Sequence, residues 1–236
     1  MDTFNTKLHS LYSAKWDALQ EAMQPVLHNP DYKIMPTSPL LLKVGNEVEY
    51  QNADIKLLIF GQETNSWYEE FHGDMKEVIG CYDGFFNDEE CWGYGGQFWN
   101  GFARFLKLLN ERYPDKSVSY LWNNVVKIGK HGEMGLPPSY IREVEKSSFD
   151  VIPQELAILQ PTITLFLTGP NYDPIINFLF NKPTFSKVSD DFSTRQLAQL
   201  VIPNSEYAFR TYHPGFLWRN NLNHYFKTII DQLNFD

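Results

Sequence analysis

Apolar residues recur at three- and four-residue spacing through residues 3–28, where Leu8, Leu11, Tyr12, Trp16, Leu19, Met23 and Leu27 share one face and predict an amphipathic helix. The period then changes. Leu57-Leu58-Ile59-Phe60 is a continuous apolar run that enters Gly61-Gln62-Glu63-Thr64-Asn65, the pattern of a buried strand bounded by a turn. Residues 61–96 are long, polar and rich in glycine, and a connection of that length in a compact domain is functional or mobile as a rule. Residues 97–113 return to the helical period, with Phe98, Phe102, Phe105, Leu106 and Leu109 on one face, and Pro114-Asp115 ends it. A strand and its exit follow at 118–126, then a loop, then helical residues 139–159 interrupted near Pro153. Residues 163–168 read as a strand, 174–180 as a helix, 181–204 as a polar loop, 207–211 as the last strand and 219–233 as the closing helix.

Strands alternating with helices predict a parallel sheet covered on both faces. The expected fold is therefore α/β, a three-layer α/β/α sandwich around a central parallel sheet of about four strands. No internal repeat or linker divides the chain, so residues 1–236 are expected to form a single domain, with 1–50 as an N-terminal helix and lead-in.

In open α/β sheets, ligands bind outside the carboxyl ends of the strands. Four strand exits here carry polar groups: Gln62-Glu63, Asn123-Asn124, Gly169-Pro170-Asn171 and His213. Glu63 and His213 are about 150 residues apart in sequence, so only the fold can bring them to one ligand. The 16% aromatic content is enough to fill a core and line a pocket as well. Phe85 or Phe86 in the glycine-flanked segment offers a stacking face, Trp92 or Tyr94 another, and Phe85 and Phe86 fit core packing better still.

Charge sharpens the choice of partner. The net charge of −9 disfavours a polyanion, but the distribution is uneven. Residues 69–90 hold eight acids against Lys76, whereas 104–131 hold Arg104, Lys107, Arg112, Lys116, Lys127 and Lys130 against Glu111 and Asp115. Cys81 and Cys91 are the only cysteines, too few for an iron–sulfur cluster, and with His72 they match no zinc spacing, so no metal or other cofactor is expected. No apolar run approaches membrane-spanning length and Met1-Asp2-Thr3-Phe4-Asn5 begins no signal peptide, so a cytoplasmic protein with reduced thiols is expected.

The ordered motifs resemble those of the uracil-DNA glycosylase superfamily. Gly61-Gln62-Glu63 is similar to its first motif with Glu for Asp, Leu121-Trp122-Asn123-Asn124-Val125-Val126 to its second, Leu165-Phe166-Leu167-Thr168-Gly169 to its third, and His213-Pro214-Gly215 to half of its fourth. Gln97-Phe98-Trp99 also looks like a stretch of the mismatch-specific branch. The resemblance implies a uracil-DNA glycosylase-like fold and hydrolysis of an N-glycosidic bond on a flipped-out base, without metal. Glu63 would stabilise the sugar cation or orient water, and His213 would polarise a base carbonyl. Gln62 and Asn123 would bind the base, and Phe85 would stack on it. DNA or a nucleobase or nucleotide would be the partner.

The chain departs from the pattern at Thr64, which replaces a stiffening proline, and at Asn65, which replaces the tyrosine that excludes thymine's methyl. Gly215-Phe216-Leu217-Trp218 replaces the phosphate-pinching segment; Leu217 or Trp218 suits a wedge into a duplex, and Phe216 and Trp218 suit a core equally. These departures leave a non-catalytic nucleotide- or protein-binding relative as the alternative, and a hydrolase of free nucleosides as a third reading.

Overall fold

The computed structural model describes residues 3–65, 67 and 69–235. The Asn65 side chain, on which the reading of thymine exclusion falls, lies outside the described residues, as do Met1 and Asp2. Along the chain run α1 (Phe4–Leu27), α2 (Glu47–Asn52), β1 (Ile55–Asn65), α3 (Met75–Tyr82), α4 (Glu90–Tyr94), α5 (Gly96–Arg112), β2 (Val118–Lys130), α6 (Ser139–Ser148), α7 (Ile152–Leu159), β3 (Ile163–Phe166), α8 (Asp173–Leu179), β4 (Phe185–Lys187), β5 (Leu197–Leu200), β6 (Tyr207–Thr211), α9 (Pro214–Leu217) and α10 (Leu222–Ile230).

Helix α1 forms as its periodicity predicts. Thr3 caps it by accepting from the Thr6 amide, and Leu8, Tyr12, Trp16, Leu19, Met23 and Val26 are buried along one face. It packs against α6 and α7, which are separate helices because Pro153 fits the first turn of α7. Helix α5 packs against α9 and α10, and helices cover both sides of the sheet. The buried side chains form one continuous core.

The sheet is larger than expected and mixed. Its order is β2-β1-β3-β6-β5-β4. The four expected strands pair in parallel, β5 adds antiparallel to β6 and β4 antiparallel to β5, so residues 181–204 are not simply a loop. The signal missed was short: Leu197, Ala198 and Leu200 are buried, but only over four residues, and β4 is a three-residue edge strand with two exposed positions. Residues 61–96 are likewise not one open connection. They carry the end of β1, then α3, a π-helical turn at Asp83–Asn87, and α4.

Two further differences bear on the site. Strand β1 continues through the Gly61–Asn65 motif instead of ending before it, and β2 continues to Lys130. Their register shifts after Glu63↔Val126 to Asn65↔Lys130, a bulge in β2. The Lys127 and Ile128 amides within the bulge donate to Glu145 Oε1 and Oε2 at 2.8 and 3.1 Å. Gly129 closes the bulge, where a Cβ would lie 2.1 Å from the Thr64 carbonyl. Among the described residues no helix is long and apolar enough to cross a membrane.

Candidate active site

A cleft of about 740 Å³ opens at the carboxyl ends of β1 and β6. Glu63 and Gln62 reach it from β1, His213 from the end of β6, Asn124 and Trp122 from β2, and Phe85 from the π-helical turn. The first turns of α5 contribute Gln97, Phe98 and Trp99. Four residues singled out from sequence (Gln62, Glu63, Phe85 and His213) therefore lie on one cavity.

Asn123 does not, and the expectation that it reads a base is corrected. It is fully buried on the opposite side of β2, where its Nδ2 donates to Glu155 Oε2 at 2.8 Å and its Oδ1 accepts from Lys127 Nζ at 3.0 Å. The reason is strand geometry. Successive side chains point to opposite faces, and β2 is still a regular strand here, with Phe60↔Asn123 and Gly61↔Asn124 in register. Trp122 and Asn124 face the cleft, and Asn123 faces the core. Gly61 makes room for the neighbour: a Cβ there would lie 2.4 Å from Asn124 Oδ1 and 3.2 Å from the Phe98 ring. Asn124→Ala is expected to weaken ligand binding about tenfold with little change in folding stability, whereas Asn123→Ala lowers the stability by about 1–3 kcal/mol because it strips a buried network. Titration calorimetry and urea unfolding on both variants check this.

Glu63 is half-buried, and burial raises its carboxyl above the usual carboxylate range. The Tyr172 hydroxyl donates to Oε2, Lys130 lies near enough to be felt, and the Gly135 amide donates as well; all three favour the charged form without reversing the shift. Tyr172 sits on the 3-10 turn after β3, and its phenol is itself pushed up by burial and by the Glu63 charge. Sequence reasoning missed it, since nothing local marks a contact across 109 positions. Tyr172→Phe removes a donor that favours the carboxylate, so the acidic limb of any activity that needs ionised Glu63 is expected to move to higher pH. A rate–pH profile of the variant measures the move.

His213 is held in a defined tautomer. The Gly215 amide donates to its Nδ1 at 3.0 Å, so the neutral ring carries its proton on Nε2. Burial lowers its pKa, which favours the neutral form. The Phe98 ring stacks on it at 5.9 Å between centroids and 22° between planes. The imidazole thus offers an N–H donor rather than a charge.

The remaining wall is aromatic. Phe85 both packs and lines the cavity, with ring centroids 5.3 Å from Trp99, 5.7 Å from Trp67 and 5.6 Å from Tyr94. Among the described residues neither Lys nor Arg lines the cleft, and no group of three His, Cys, Asp or Glu side chains is arranged to hold a metal. Beyond Gln97, a shallow hollow carries Arg104, Lys107 and Trp218. Leu217 is fully buried and so is no wedge, while Phe216 and Trp218 are exposed rather than core residues. Cys81 and Cys91 are free thiols that burial pushes up to about 11.

No protein-family model matches this chain, and no curated protein matches it by sequence.

Proposed function

We propose that the protein hydrolyses the N-glycosidic bond of a nucleobase held at the strand ends, as the resemblance to the uracil-DNA glycosylase superfamily implies. The observation that carries this reading is that Glu63 and His213, from strands far apart in sequence, line the same cleft. Breaking the bond leaves positive charge on the sugar and negative charge on the base. Glu63, ionised, stabilises the sugar cation or orients the attacking water. His213 donates its Nε2–H to the base oxygen where charge develops, which a neutral imidazole with Nδ1 already engaged is suited to do. Asn124 takes the base-reading role first assigned to Asn123, because its amide offers a donor and an acceptor toward the cavity. Phe85 and its neighbours supply faces for a base out of its stack. The Arg104–Lys107–Trp218 hollow, which shares Gln97 with the cleft, gives a DNA strand cationic and aromatic contacts on leaving it.

Chromatographic assay of bases released from oligonucleotides carrying deaminated, oxidised or alkylated bases tests the proposal, with Glu63→Ala in parallel. Release by the wild type and not by the variant supports it. Equal release, or none from either protein across the panel, removes it and leaves the non-catalytic binding relative.

A further inference from the structure

A second cavity, of about 180 Å³, lies between α6, the start of α7, α8 and β2, and it shares no lining residue with the cleft. Val125 and Val126 of β2, Val151 and Ile152 at the start of α7, and Ile175 and Leu179 of α8 make most of its wall apolar. Four charged side chains complete it: Arg142, Glu145 and Lys146 on α6, and Asp150 two residues past the end of that helix. A largely apolar cavity with a few polar groups is the ordinary form of a small-molecule site. An apolar cavity of about 150 Å³ accepts benzene. This one therefore has room for a branched aliphatic chain or a single ring, and is too small for a nucleotide.

The four charges do not neutralise one another. Among the described residues neither Arg142 nor Lys146 forms an ion pair. Arg142 Nε donates to the Pro137 carbonyl at 2.9 Å, and Lys146 Nζ lies 4.3 Å from the centroid of the Phe178 ring. Glu145 is engaged, with its two oxygens on the Lys127 and Ile128 amides. Asp150 is not. It is half-buried, and its Oδ1 is buried without a hydrogen-bond partner. Burial raises its carboxyl above the usual carboxylate range, and the charge of Lys15 offsets only part of the shift. A buried acceptor left unpaired carries a desolvation cost that a donor on a ligand would remove. Arg142 and Lys146 stand one helical turn apart, about 5.4 Å along the axis, and Asp150 follows four residues on.

We propose that this cavity binds a free α-amino acid with a large apolar side chain. The side chain of the ligand fills the valine, isoleucine and leucine lining. Its ammonium donates to Asp150, and its carboxylate faces Arg142 and Lys146. Ligands of simpler charge match the wall less well. An amine without a carboxylate meets two unpaired cations, an acid without an amine meets the Asp150 carboxylate, and a neutral apolar molecule leaves Asp150 without a donor. The site is separate from the cleft, involves no bond-breaking step and does not depend on base release.

The probes are L-leucine and L-phenylalanine, titrated calorimetrically into the full chain at pH 7. At least one is expected to bind with a Kd below about 1 mM. Phenethylamine and 3-phenylpropionate, which each keep one charge of phenylalanine, are expected to bind about tenfold more weakly than phenylalanine, the scale of one lost charge-assisted hydrogen bond. L-alanine, which keeps both charges and loses the apolar chain, is expected to bind more weakly by a similar factor. Asp150→Asn and Arg142→Gln are each expected to lower the affinity several-fold, and Ile175→Trp, which fills the cavity, to abolish binding, with circular dichroism confirming that all three fold. No saturable binding of either amino acid, equal affinity for the singly charged analogues, or an affinity unchanged in all three variants overturns the proposal. The oligonucleotide assay reads base release separately, so either reading can fail alone.

Discussion

Glu63→Gln is expected to lower the single-turnover rate of base release by about three orders of magnitude, the upper part of the range for one catalytic carboxylate. The change is nearly isosteric, and the amide oxygen still accepts from the Tyr172 hydroxyl. What disappears is the negative charge that faces the developing sugar cation. Stability is expected to move the other way. Burial raises the Glu63 pKa in the folded state, so ionising it opposes folding at any pH above its ordinary value. The neutral variant is therefore at least as stable as the wild type at pH 7, and a lost rate cannot be put down to unfolding. The same shift sets the wild-type profile: the rate falls as pH drops through a midpoint above the usual carboxylate range, and that limb is absent from the residual rate of Glu63→Gln. Stopped reactions across pH, with thermal midpoints on both proteins, make the comparison.

Lys127→Met is expected to cost about 3–5 kcal/mol of folding stability at pH 7, the largest single loss the structure implies outside the hydrophobic core. Lys127 Nζ donates to Glu155 Oε1 at 2.6 Å and to Asn123 Oδ1 at 3.0 Å, and all three side chains are fully buried. Tyr12 adds a hydroxyl donor to Glu155 Oε1 at 2.6 Å and accepts from the Leu42 amide at 3.0 Å, so the network ties α1, the lead-in, β2 and α7 together. Burial pulls the lysine pKa down and Glu155 pulls it back, which leaves the pair interdependent. Removing the lysine leaves a carboxylate in the core with two neutral donors. The double variant Lys127→Met with Glu155→Gln, which removes both charges, is expected to recover much of the loss. Urea unfolding of the two variants measures this, and a single-variant loss below about 1 kcal/mol contradicts the network as described.

The same residues show how far the sequence alone could be read. The Leu57–Phe60 run of β1 is unbroken and apolar, those of β3 and β6 are mostly so, and the polar residues at their ends mark the carboxyl edge of the sheet. The placement of Glu63 and His213 on one edge was therefore legible, although their chemistry is not. Asn123 and Asn124 were adjacent candidates with the same side chain. Only the pleat of a strand that continues to Lys130 separates the one that faces the core from the one that faces the cleft. A strand boundary set too early hid that alternation. Strand β5 was invisible because four residues with three buried positions carry too little period to stand out from a polar stretch. Tyr172 had no local signature, since its value lies in a hydrogen bond to a residue 109 positions away. The helices α3 and α4 were hidden by the glycines and acids of 69–96, where tertiary packing of Val78, Tyr82, Phe86 and Cys91 overrides weak propensity.

The central claim is that one ligand lies between the Glu63 carboxyl and the His213 ring. Nitrogen-15 spectra of histidine-labelled protein, recorded while uridine or thymidine is added, test it most directly. The account predicts a free His213 in the neutral form with its proton on Nε2, and a shift of that Nε2 signal that saturates with binding and changes in amplitude in Glu63→Gln. A His213 protonated on Nδ1, or an Nε2 signal that stays fixed while calorimetry shows either nucleoside bound, would contradict it.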